Sequence, residues 1–439
     1  MMSRFIKPTI AGILLVACFL VSSCNGLKKF AGNGYSIDRD YSIFSRYSGS
    51  YCSLVSEPGG ENLSVNCENL RSMTDLNGEF CQKNKDKTWK AYFPGETAPM
   101  NLCHDKSFPD RPEQNSLRVI VFGDAGTGDD STSNERQSLV GEAMASICPY
   151  RSDLGLDVSA DKSKRGCDFA TLVGDIIYPY GIRNPFDSQL STKFEKPYEK
   201  YGGLPFYIAS GNHDYHGNVT AMVEYDLFST RWHMPGRHFS IENLPSWAHI
   251  YAIDSIAFTG EDGIENNAAE QLQAMKTDFC RKAGWKIIVG HFPPISNGNH
   301  GGHQEQAMAL AEVYKECPFN LYLAGHDHHL EFLTSDKYSV LISGGGGAVT
   351  KDVELLPAET LNSRADIGLE NISQKYAKNS HGFSVVEISE AALDVYFFDI
   401  DSWKPEAGVF TLTPSFEDYD FHCRINKETP AVCQPINKD

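Results

Sequence analysis

The side chains best suited to chemistry in this sequence gather at the ends of five apolar runs. Gly123-Asp124-Ala125-Gly126 follows residues 117–122, Gly174-Asp175-Ile176-Ile177-Tyr178 follows 169–173, and Gly211-Asn212-His213-Asp214 follows 206–209. Gly290-His291-Phe292-Pro293 follows 285–289, and Gly325-His326-Asp327-His328-His329 follows 319–324. A carboxylate just beyond a buried strand is costly unless it is paired or bound to metal. One Gly-Asp pair alone reads better as the cap of a following helix or turn, and one histidine alone as a satisfied core or surface residue. Five such ends in one chain point instead to cations held by mixed oxygen and nitrogen ligands, as two-metal hydrolysis requires. Asp175 could bridge two cations, and the phenol of Tyr178, three residues on, is a hard anionic ligand suited to a trivalent ion. Asn212 offers a neutral carbonyl oxygen, while His291, His326 and His328 offer imidazole nitrogens. Alternation past a strand puts His326 and His328 on one side and turns Asp327 to the other.

The elements that must position these groups alternate along the chain. Strands are predicted over 117–122, 169–173, 206–209, 249–253, 285–289 and 319–324. Helices are predicted over 135–147, 186–201 with a break at Pro197, 268–282 and 304–315. That order implies an α/β fold whose buried strands are covered by helices, with ligands bound at the strand carboxyl ends. Residues 383–388 and 393–398, around Ser389-Glu390-Ala391, read as an antiparallel hairpin added to the sheets. Two glycine-rich stretches compete for attention. Gly123-Asp124-Ala125-Gly126-Thr127-Gly128 lacks the G-x-G-x-x-G spacing of a dinucleotide loop, and no Gly-Lys-Ser/Thr triplet makes a P-loop. Gly344 to Gly347 marks a close backbone approach or a flexible loop.

The 439 residues, 41% of them hydrophobic, suffice for one large core and a smaller module. Arg4 and Lys7 precede an apolar run over 10–21 that is short for a membrane span and reads as a secretory signal. Val21-Ser22-Ser23-Cys24 resembles a bacterial lipoprotein processing site, leaving Cys24 as a lipidated first residue; ordinary cleavage before Cys24 is the alternative. A formal charge of −18 argues against nucleic acid as a partner, because phosphate backbones select basic surfaces. Of twelve cysteines, setting aside Cys18 and Cys24 leaves Cys52, Cys67, Cys81, Cys103, Cys148, Cys167, Cys280, Cys317, Cys423 and Cys433. Their even number and the absence of C-x-x-C pairs favour disulfides and export, with sequential pairing expected. Asn62, Asn218 and Asn371 form glycosylation sequons that matter only if the lipoprotein reading fails. The expected organisation is a lipoprotein-type signal peptide (1–23), a Cys-rich N-terminal extension (24–115) ending near Asp110-Arg111-Pro112-Glu113, a catalytic domain (116–402) and a disulfide-stapled C-terminal tail (403–439).

The five motifs together resemble those of the calcineurin-like metallophosphoesterase superfamily, and more narrowly the purple and tartrate-resistant acid phosphatases. The resemblance spans roughly residues 117–398. It extends to Ser210 through Met234, with Arg231-Trp232, and to His300, nine residues after His291. It implies a four-layer α/β/β/α sandwich with the small Cys-rich N-terminal extension attached. It further implies a binuclear centre in which Asp124, Asp175, Tyr178 and His328 hold Fe(III). Asp175 would bridge to a divalent ion (Fe, Zn or Mn) held also by Asn212, His291 and His326. A metal-bound hydroxide would then attack a small phosphomonoester in line with the leaving alkoxide, with His213 or His300 as the acid. Ala125 and Phe292 depart from the family pattern, which touches substrate contacts rather than metal binding. Two other readings are a phosphodiesterase or nucleotide hydrolase of the same superfamily, and a non-catalytic surface binding protein. Oligomeric state is not legible, and the lipid on Cys24 would be the only membrane attachment.

Overall fold

The computed structural model describes residues 115–126, 131–150, 166–259, 268–348, 369–403 and 414–426, apart from positions 186, 202, 227, 228 and 230, with short backbone segments elsewhere. The expected signal peptide, Cys24, Asn62, the 110–113 boundary and the side chains of Cys52, Cys67, Cys81 and Cys103 lie outside that description. The chain forms two compact units. The first contains two antiparallel pairs, β1 (Tyr51–Ser56) with β2 (Leu63–Leu70), and β3 (Trp89–Ala91) with β4 (Met100–Leu102).

The second unit is built on two mixed sheets. The first has eight strands, in the order β19 (Thr429–Pro435), β18 (Phe421–Asn426), β17 (Ala392–Asp399), β16 (Gly382–Ser389), β5 (Ser116–Phe122), β6 (Phe169–Val173), β7 (Phe206–Ala209) and β8 (Trp232–His233). The second has seven, in the order β15 (Ser373–Lys378), β13 (Leu330–Thr334), β14 (Ser339–Ser343), β12 (Leu321–Ala324), β11 (Trp285–Val289), β10 (Ala248–Ala252) and β9 (Phe239–Ser240). β5 to β8 are parallel, as are β10, β11, β12 and β14. Their runs are apolar without alternation because both faces are covered: β5, β6, β7 and β12 are buried throughout.

The inner faces meet through aromatic side chains. Tyr376 lies 4.8 Å from Phe397 and 4.9 Å from Phe421 between ring centroids, and Ser343 Oγ donates to the Val121 carbonyl at 2.8 Å. Outside the first sheet, helix α1 (Ser131–Ile147) carries Gln137, which donates to the Lys193 carbonyl and the Tyr198 hydroxyl. Short helices α2 (Asn212–Tyr215) and α3 (Val219–Tyr225) follow β7, and the Asn218 side chain accepts the Ala221 N–H to cap α3. Helices α4 (Ala268–Thr277) and α5 (Gln304–Glu316) bury Met275, Leu310 and Val313 in one cluster with Ile288, Tyr322 and Val340 of the second sheet. Two disulfides follow the sequential scheme, Cys148–Cys167 and Cys280–Cys317. Cys423 is also disulfide-bonded and stands opposite Cys433 in the β18–β19 ladder.

The expected antiparallel hairpin forms as β16 and β17, and it joins the first sheet where β16 pairs with β5. In the tail, β18 and β19 extend the same sheet. The 186–201 stretch is irregular, passing from a single π-helical turn at Ser191–Glu195 to a 3₁₀ turn at Glu199–Tyr201.

Asp394 on β17 links these late strands. It accepts from Arg424 Nε at 2.7 Å and Nη2 at 2.9 Å, and lies 2.7 Å from His422 Nε2. Burial opposes its ionisation, but the His422 and Arg424 contacts prevail and hold its carboxyl below the usual range. A depressed folded pKa contributes stability above the unfolded value and loses it as pH falls through the folded value. Asp394→Asn is therefore expected to melt below wild type at pH 7, with the gap closing as pH falls below about 4. Thermal melts across that range test it, and a constant gap would contradict it.

Candidate metal centre

Five strand ends converge, three from the first sheet (β5, β6, β7) and two from the second (β11, β12). The backbones lock together before any side chain acts. Gly123 N–H donates to the Ser343 carbonyl at 2.9 Å, Gly346 N–H to that of Gly123 at 3.0 Å, and Ala348 N–H to that of Asp124 at 2.8 Å. The glycines of the Gly-X pairs make room for a neighbouring side chain. A Cβ on Gly174, at φ +93°, would sit 2.3 Å from His291 Nδ1, and one on Gly211 would sit 2.2 Å from Asp175 Oδ1. Asp124, Asp175 and His326 hold φ values of 54°, 51° and 71°, a left-handed conformation uncommon outside glycine. Such strain persists where surrounding contacts enforce it, and it concentrates at functional sites.

Asp124, Asp175 and His291 are buried, with one ligand atom from each mutually within 4.8 Å. The Tyr178 hydroxyl lies 2.9 Å from Asp124 Oδ1, 2.9 Å from Asp175 Oδ2 and 3.0 Å from His328 Nε2. His291 Nδ1 lies 2.8 Å from the Val173 carbonyl, so it carries the proton there. That contact turns Nε2 toward Asn212 Oδ1 at 3.0 Å and Asp175 Oδ2 at 3.4 Å. His326 packs on His291, with ring centroids 5.1 Å apart, and its backbone N–H donates to Asp124 Oδ2 at 2.9 Å. All seven side chains singled out as ligands thus meet in one cluster. The two histidines considered as acids border it. His213 donates its backbone N–H to Asp175 Oδ1 at 2.8 Å and lays its ring 4.2 Å from that of Tyr178. His300 stands 4.4 Å from His326 between ring centroids.

The electrostatics fit a cation. Burial disfavours charge on His291, yet Asp175 beside it lifts the imidazole pKa to about 9. Burial raises the Tyr178 phenol well above its ordinary value, and the charges of Asp124 and Asp175 raise it further. One hydroxyl proton cannot satisfy two carboxylate oxygens and an imidazole nitrogen together. Among the described residues, the ion-pair partners of Asp124 and Asp175 are His328 and His291, with no lysine or arginine. Burial, reinforced by His291 and His300, pushes His326 down to about 2, which keeps it a neutral donor.

Several supporting residues were given no role in the site by the sequence. Buried Asp214 accepts N–H groups from Gly211 at 2.9 Å, Ile176 at 3.2 Å and Ile177 at 3.3 Å, clamping two loops that carry candidate ligands. Ser255 Oγ accepts the N–H groups of His291 and Phe292, both at 3.1 Å. Gly344 lies against Asp124, where a Cβ would approach Oδ2 to 2.9 Å, which resolves the glycine run as a close approach. Asp327 does face away from the cluster, accepting from Ser296 Oγ and the His300 N–H. His329 pairs with buried Glu331 at 3.1 Å, apart from the site. Phe292 stacks on His303 and meets His326 edge-on at 4.5 Å.

Residues 117–330 match the calcineurin-like phosphoesterase family. Tartrate-resistant acid phosphatase type 5 of Homo sapiens is 25% identical over 253 residues, covering 53% of this chain and 76% of that protein. Purple acid phosphatase 3 of Arabidopsis thaliana is 26% identical over 275 residues, covering 57% and 70%. The purple acid phosphatase PPD1 from yellow lupin (Lupinus luteus) seeds superposes with a TM-score of 0.45 at 15% identity, covering 70% of this chain and 54% of that one. Over residues 117–330 the chain thus matches calcineurin-like phosphoesterases, and its similarity to tartrate-resistant and purple acid phosphatases implies a metal centre where its carboxylates and histidines converge.

Proposed function

We propose that this protein is an exported acid phosphatase that hydrolyses small phosphomonoesters at a binuclear centre of Fe(III) and a divalent ion (Fe, Zn or Mn). The observation that carries the reading is Tyr178, whose hydroxyl contacts Asp124, Asp175 and His328 at once. A phenolate ligand favours a trivalent ion on that side of the cluster. Asp124, Asp175, Tyr178 and His328 would hold Fe(III), and Asp175, Asn212, His291 and His326 the divalent ion. Bound there, the ions supply Lewis acidity toward a phosphate oxygen and toward the attacking water.

The chain's own groups supply orientation and a proton. The Val173 carbonyl fixes the His291 tautomer, as outer partners of metal-bound histidines do. His213 Nδ1 is held 2.8 Å from the Pro179 carbonyl, which leaves Nε2 as the atom that exchanges a proton with a leaving alkoxide. The disulfides Cys148–Cys167 and Cys280–Cys317 favour an oxidising compartment, in support of export. Among the described residues no helix is long and apolar enough to cross a membrane, so attachment through a lipid on Cys24 remains part of the proposal. With a chain charge of −18, phosphate is drawn in by the centre alone.

His213→Ala is expected to slow hydrolysis of alkyl monoesters by about 10²-fold or more, and of activated aryl esters far less, because good leaving groups need no proton. Equal losses on both would remove His213 from the acid role. The whole reading is tested by comparing an aryl phosphomonoester with the matching diester from about pH 4 to 8, with bound metals quantified. Monoester preference, an acidic optimum and iron are expected. Diester preference near neutrality without iron would overturn it in favour of the phosphodiesterase alternative.

A further inference from the structure

Among the described residues the large apolar side chains left exposed are Tyr180 and Met308, at 70% and 54%. Single exposed apolar residues are ordinary, but Tyr180 continues a row of rings that starts inside the candidate centre. The Tyr178 and His213 rings are 4.2 Å apart, those of His213 and His216 5.2 Å, and those of His216 and Tyr180 6.3 Å. His213 and His216 both direct Nδ1 toward the Pro179 carbonyl, at 2.8 and 3.4 Å, so one backbone group aligns two members of the row.

The backbone beneath Tyr180 is rigid. Gly181 N–H donates to the Ile177 carbonyl at 2.9 Å, and Asn218 N–H to that of Ile182 at 2.7 Å. A Cβ on Gly181, at φ +60°, would lie 2.6 Å from the Asp214 carbonyl oxygen, and one on Gly217 would lie 2.6 Å from that of Tyr180. An aromatic ring kept in water on a fixed backbone loses little conformational entropy when something packs on it.

We infer that Tyr180 and His216 form the wall of a subsite for the alcohol portion of the substrate, and that this portion is a planar aromatic group. The inference rests on the proposed phosphoester chemistry for its anchoring point, since the phosphoryl group must sit at the cluster for its leaving group to reach the row. A flat ring gains a face or edge contact with the tyrosine, whereas a short alkyl alcohol is too small to reach it.

Phenylphosphonate and methylphosphonate carry the same anionic head and are not hydrolysed, so calorimetric titration of the metal-loaded protein isolates the contact. Wild type is expected to prefer phenylphosphonate, Tyr180→Ala to lower that preference about 3- to 10-fold, and Tyr180→Phe to keep it. In turnover, Tyr180→Ala should raise KM for an aryl monoester at nearly constant kcat and leave an alkyl monoester unchanged. No phenyl preference in wild type, a preference unmoved by Tyr180→Ala, or equal weakening of both phosphonates would overturn the subsite. If monoesters are not turned over but the phenyl preference exists and depends on Tyr180, the subsite stands and the phosphatase reading falls. Failure to bind either phosphonate overturns both.

Discussion

Asp175→Asn is expected to lower kcat/KM by on the order of 10³-fold or more, because it removes the charged oxygen shared by both halves of the cluster. Asp175 touches the Tyr178 hydroxyl at 2.9 Å, His291 Nε2 at 3.4 Å and the His213 N–H at 2.8 Å. Burial opposes its ionisation, yet His291, with help from His213, holds its carboxyl below the usual range, so it is anionic across the working pH. Asparagine keeps the shape and the His213 contact but loses the charge. The expected signature is loss of bound metal without loss of fold. In wild type, metal at about 100 times its Kd adds roughly 2.7 kcal/mol to the folded state. That increment should vanish in the variant, while chelator-treated samples of the two proteins melt within a few degrees of each other. Retention of stoichiometric metal and of activity would show that Asp175 is not a ligand.

The second large effect is structural. Asp214→Ala is expected to cost about 3–5 kcal/mol, because three buried N–H groups lose their acceptor at once. Those of Gly211, Ile176 and Ile177 belong to the two loops that carry Asn212 on one side and Asp175 and Tyr178 on the other. A drop in Tm on the order of 10 °C should accompany it, since each kcal/mol moves a domain of this size by roughly 2–4 °C. Metal affinity should fall in parallel, as the loops separate. Asp214→Asn, which retains one acceptor oxygen, should lie between the two. A wild-type melting curve with full metal content in Asp214→Ala would refute the clamp.

The contrast between these residues tracks what could be read in advance. Asp175 is legible because a carboxylate, a phenol three residues on and a strand end form a local pattern with chemical meaning. Asp214 sits in an equally visible cluster, yet two of its partners are backbone N–H groups from a loop 37 and 38 residues away, and backbone donors leave no trace in side-chain spacing. The two departures from the family pattern, Ala125 and Phe292, are both buried. Ala125 is fully buried, with its N–H on the Asp175 carbonyl at 3.1 Å, and Phe292 braces His326.

By itself the sequence determined the alternation of strands and helices and the chemistry carried at five strand ends, and it raised the sequential pairing of two disulfides as an expectation. Each is a local quantity: the period of burial, a residue type, or a cysteine bracketing one connection. The tertiary structure alone decided that three of the ends come from one sheet and two from another, facing each other across the cluster. It decided that β16 enters beside β5, with Ser384 opposite Val121, and that the tail closes the same sheet. It also imposed left-handed backbone on Asp124, Asp175 and His326. Strand order depends on hydrogen bonds between residues hundreds of positions apart, and apolar runs buried on both faces look alike whichever sheet receives them. The candidate ligands were therefore legible one by one, while their meeting was a property of the fold.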